Sequence, residues 1–72
     1  MAEMELFSVV AVLRDLPEQG LVRGQVGTVV EELAPGVYLV DFCDDEGRTY
    51  ALATLQSSEL IRLHHRPLER VA

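Results

Sequence analysis

The chain has no lysine and no tryptophan, and only one cysteine among its 72 residues. One thiol rules out an internal disulfide, and nothing clusters Cys with His in the way a structural metal requires. The core must therefore come from aliphatic packing, alone or with a partner. No stretch approaches the ~18 apolar residues of a membrane span. The N-terminus carries Glu3 and Glu5 where a secretory signal would carry basic residues. A lone thiol and no export signal fit the cytoplasm.

What is present is aliphatic and acidic. Apolar residues make up 49% of the chain, enough for a core and for a leftover apolar patch of the kind that marks interfaces. A domain of this size buries only about 60% of its extended surface, so its stability is marginal. All six basic residues are arginine, set against twelve acids, for a net charge of −6. Such a balance opposes charge-driven binding to phosphate backbones. The charge is also uneven. Residues 61–72 carry Arg62, Arg66 and Arg70 against Glu69, a net +2, while residues 1–60 carry three arginines against eleven acids, a net −8. Residues 65–72, with Pro67, read as a polar tail after a domain at residues 1–64. The tail is either ordinary solvated surface or a contact for an acidic partner or the acidic body of a second copy.

The stretch Gly24–Val30 indicates the architecture. Gly24 suits a turn with positive φ, and Gly27 leaves room for a close backbone approach. Thr28, Val29 and Val30 fit a pleated, half-buried surface. A first strand is expected over Leu6–Leu13, followed by a loop punctuated by Pro17 and Gly20. Leu21 and Val22 should fold that loop back over the barrel. A second strand follows over Val26–Leu33. Pro35-Gly36 favours a type II turn into a third strand at Val37–Phe42, with Tyr38, Val40 and Phe42 on one face. Asp44–Gly47 is a hairpin tip with Gly47 left-handed, leading to a fourth strand at Arg48–Thr54. Gln56–Leu60 suits one 3₁₀ turn capped by a serine, ahead of a short last strand at Ile61–His64. Five short strands with Gly/Pro turns give an all-β class, and closing the sheet into a small SH3-like barrel would remove its open edges.

In order, the chain reads Leu16-Pro17, Gly20-Leu21, Gly24, Val26-Gly27-Thr28-Val29, Tyr38, Val40, Phe42, Asp44, Gly47, Thr49, Ala51-Leu52 and Leu55. This pattern, over residues 6–63, resembles a family of short bacterial proteins known as domain-of-unknown-function family 4926. The resemblance implies an SH3-like barrel and no established activity. The small stand-alone character of its members suits an accessory or antitoxin-like partner of a neighbouring protein. The Gly24–Val29 piece alone also resembles the KOW motif of ribosomal and transcription-elongation proteins. KOW domains are usually basic, whereas this chain is acidic and lacks lysine.

No catalytic or cofactor-binding constellation is legible, and no cofactor is expected. His64 and His65 are adjacent, so a regular strand would point them to opposite faces. Asp44 and Asp45 beside Cys43 disfavour a nucleophilic thiolate. Asp41, Asp44, Asp45 and Glu46 lack the alternating spacing of a calcium loop and read as a solvated hairpin tip, or one that docks on an arginine-rich partner. Glu31 and Glu32 face opposite ways on a strand, and Gly24–Gly27 is followed by no Lys-Ser/Thr. In SH3-like domains the first long loop and later strands flank a peptide groove. Leu16, Leu21, Tyr38, Tyr50, Leu52 and Leu55 are accordingly expected to contribute a protein-binding surface, with Asp44, Asp45 and Glu46 steering a basic partner. The chain reads as a protein–protein interaction module, not an enzyme. A KOW-like nucleic-acid module and a structural homodimer are the alternatives.

Overall fold

The computed structural model describes residues 4–64. Strands β1 (Val9–Val12), β2 (Val26–Ala34), β3 (Val37–Cys43), β4 (Thr49–Gln56) and β5 (Leu60–Arg62) form one antiparallel sheet in the order β4-β3-β2-β1-β5. One 3₁₀ turn lies in the first loop at Pro17–Gln19 and another at Ser57–Glu59, just before β5. The sheet curls into a small five-stranded SH3-like barrel. Among the described residues no ladder joins β4 to β5, so closure does not remove the edges as expected.

Alternation along the strands builds the core. Tyr38, Val40 and Phe42 of β3 are fully buried, as the period of two requires. They meet Val10 and Val12 of β1, Val29 of β2, Ala53 and Leu55 of β4, and Leu60 of β5. Each large aliphatic side chain buried in this way contributes roughly 1.5–3 kcal/mol. Gly27 lets the sheet coil this tightly. A Cβ there would lie 2.7 Å from Val40 Cγ1 and 2.9 Å from Phe42 Cδ2, so any side chain would force β2 and β3 apart. Gly36 and Gly47 close the two hairpins at φ 77° and 81°.

Several boundaries differ from expectation. β1 begins three residues late because Leu6-Phe7 forms a turn, with Phe7 at φ 68° and its amide donating to the Val29 carbonyl. Of the two residues expected to fold over the barrel, Leu21 does so and is buried, whereas Val22 is exposed. β4 extends to Gln56, and β5 is only three residues long. The 3₁₀ turn before β5 is braced by its last residue instead of a serine. Glu59 Oε1 accepts the Gln56 amide at 2.9 Å, and its Oε2 accepts Arg14 Nη2 at 2.9 Å. The Glu59 carbonyl also accepts the Leu13 amide, so this one residue ties the turn to the end of β1.

Candidate protein-interaction surface

The first loop is an anchored structure. Leu16 and Leu21 exchange two backbone hydrogen bonds across it, and both side chains enter the core. Tyr38 is also fully buried, and its hydroxyl accepts the Met4 amide at 3.1 Å. Leu55 is fully buried as well. Burial removes these four residues from the expected contact set, because a partner cannot reach side chains that already fill the barrel. They shape the surface from beneath.

Tyr50 and Leu52 remain exposed, at 48% and 59%. They do not share one flat face. The register shift between Phe42 and Cys43 turns Tyr50 toward the barrel mouth. There its ring lies 6.3 Å from Phe42, and its hydroxyl accepts Gln25 Nε2 at 3.2 Å. Leu52 stays on the outer face, in a cross-strand row with Asp41 and Thr28. A second glutamine of the first loop, Gln19, donates its Nε2 to the Thr54 carbonyl at 3.2 Å. The seam between loop and β4 is thus bridged by two carboxamides, with no backbone ladder across it.

The acidic tip is partly committed to its own fold. Asp44 Oδ1 accepts the amides of Glu46 and Arg48 at 2.9 and 3.0 Å and holds the turn, while Glu46 pairs with Arg48. Asp45 is exposed and makes no hydrogen bond or ion pair among the described residues. Of the expected steering group, Asp45 is therefore the carboxylate left uncommitted among the described residues. Asp41 lies on β3 near this tip, while Glu31 and Glu32 lie on β2 opposite Leu39 and Tyr38, toward the other hairpin. Across β2, β3, β4 and their hairpins, six carboxylates (these three with Asp44, Asp45 and Glu46) face one arginine, Arg48, for a net −5.

Cys43 is exposed at the end of β3, with its Sγ 3.8 Å from Asp41 Oδ1 and 3.7 Å from Thr49 Oγ1. Among the described residues, no group of three or more His, Cys, Asp or Glu side chains could hold a metal ion. His64 is exposed; His65 and the arginine tail lie outside the described residues. No helix among the described residues is long and apolar enough to cross a membrane.

A second surface was not anticipated from the sequence. On the outer face of β2, β1 and β5, Val26, Ala11 and Ile61 align as one cross-strand row. Leu13 and Leu63 extend the apolar surface along β1 and past β5; Leu13, Val26 and Ile61 are each close to half exposed. The signal lay in the unbroken apolar run of β1, whose alternate residues could not all turn inward. Without the pairing order, nothing joined that run to Val26 and Ile61.

Residues 6–62 match the family described as Domain of unknown function (DUF4926). The chain belongs to that family. No curated protein and no solved structure matches it. The matched segment runs from the turn before β1 to the end of β5, so the DUF4926 domain and the barrel are the same unit.

Proposed function

We propose that this DUF4926 domain is a protein–protein interaction module that acts in the cytoplasm as the accessory or neutralising partner of a separately encoded basic protein. One observation carries the reading: the segment from β2 to β4 carries a net −5 and also exposes Leu52 and Tyr50. A surface of one sign steers an oppositely charged partner, and adjacent apolar groups then hold it. The same charge repels phosphate, which weighs against the KOW-like alternative.

The test is affinity capture at moderate salt with the wild-type chain and with Asp45→Arg/Leu52→Asp, both groups being exposed. One stoichiometric basic protein, retained by the wild type and lost with the variant, is the expected result. Retention of RNA alone, abolished by nuclease, would replace this reading with the nucleic-acid one.

A homodimer is the second reading, favoured by the Val26–Ala11–Ile61 row, near which Arg14 pairs with Glu59 and Arg62 with Glu5. Solution mass measured with and without Ile61→Lys decides it.

A further inference from the structure

We propose that the edge of β4, unpaired with any strand among the described residues, accepts an extended, basic segment of the partner protein as an added strand, which takes the place of the Gln19 carboxamide. The inference rests on the interaction-module reading and specifies its geometry.

The hydrogen-bond phase of the sheet shows what the edge offers. The Ser57 amide donates to the Gly36 carbonyl at 2.9 Å, which makes Gly36 and Ser57 a bonded pair. Bonded and non-bonded pairs alternate in an antiparallel ladder. Tyr38–Leu55 and Val40–Ala53 are then bonded, while Leu39–Thr54 and Asp41–Leu52 are not. The amides and carbonyls of Leu52 and Thr54 therefore point away from β3, toward the seam with the first loop. The Gln19 bond to the Thr54 carbonyl agrees with this independently.

That bond also shows what the edge will take. A glutamine carboxamide donating to a strand carbonyl is chemically the bond that a neighbouring strand's amide would make. It comes from an exposed side chain, so its displacement costs little. A strand added at the usual ~4.8 Å spacing would occupy the gap that this side chain now spans. Its inward side chains would continue the row of Ala51, Ala53 and Leu55.

The edge lacks the ordinary defences. Thr49–Gln56 contains no charged residue, no proline and no glycine over eight residues. Natural edges of that length are usually blunted by such residues. The charge lies around the strand instead, in Asp41, Asp44, Asp45, Glu46, Glu31 and Glu32. This distribution selects the occupant. A second copy pairing through its own β4 would bring the same acidic surroundings to the edge, whereas a segment alternating apolar and basic residues would meet complementary charge.

The probe is a ten-residue acetylated peptide alternating valine with arginine, alongside the same peptide N-methylated at alternate amides. Binding and amide hydrogen exchange are read on the full chain at low salt. The unmodified peptide should slow exchange at Leu52 and Thr54 but not at Leu60 and Arg62, and N-methylation should weaken binding by about tenfold or more. Gln19→Ala should tighten binding about threefold by removing the competing donor. Equal binding of the methylated peptide, with Leu52 and Thr54 still unprotected, overturns strand addition and leaves a charged surface. No binding of either peptide overturns the underlying reading as well. Concentration-dependent protection of Leu52 and Thr54 without peptide would instead make a second copy the occupant.

Discussion

The two ends of the sheet are defended in opposite ways. At one end, β5 has three residues, carries Arg62, and pairs with β1 over its whole length, with the bonds of Glu59 and Leu63 on either side. At the other, β4 has eight residues with no charge of its own. Its protection is the negative field of the surrounding hairpin and β2–β3. A short edge refuses every strand. An uncharged edge in a charged setting refuses only strands of like sign, so the second arrangement can discriminate where the first cannot.

The sharpest way to break this contrast is to separate the two ends where β2 joins them. Gly27→Val places atoms against Val40 and Phe42 and should destabilise the barrel by about 3 kcal/mol, read as a lowered midpoint in urea. A smaller effect falls on the β3 side. Tyr38→Phe removes the acceptor of the buried Met4 amide and should cost about 1–2 kcal/mol while leaving the fold intact by circular dichroism.

The β5 side should reveal itself through pH. The Gln56 amide, and then the Arg14 guanidinium, hold the Glu59 carboxyl below its ordinary value of 4.5. The folded form thus binds that proton less readily than the unfolded form. The stability supplied by Glu59 is complete above the ordinary value and is lost as pH falls below it, through the lowered folded value. Glu59→Gln should therefore reduce the drop in melting temperature between neutral and acidic pH. The drop would be unchanged if Glu59 did not brace the turn.

The least perturbing change is Ser8→Ala. The Ser8 hydroxyl is buried with no hydrogen-bond partner among the described residues, so its removal should be within about 0.5 kcal/mol of neutral, or slightly stabilising, in the same urea titration.

Much of the fold was legible because its signals are local. The alternation of Tyr38, Val40 and Phe42 defines a buried face without reference to any other strand, and glycines at 24, 36 and 47 mark turns by their own conformational freedom. The start of β1 was not legible. Leu6 and Phe7 are as apolar as the strand that follows, and only the backbone reversal at Phe7 separates them from it. The candidate surface was half legible for a related reason. Leu52 and Leu55 look alike in sequence, and Leu16 and Leu21 look like exposed loop anchors. Which of them face solvent depends on register and on how the first loop folds.

The sequence by itself determined the all-β class, the turns, the inward face of β3 and the acidic balance, since each follows from residue type and a spacing of two. Only the tertiary structure decided that the barrel stays open, that β4 is its long uncharged edge, and that Val26, Ala11 and Ile61 form one row. These are properties of pairing between distant segments. Hydrogen-bond phase and strand order arise when the strands meet, and no single segment encodes them.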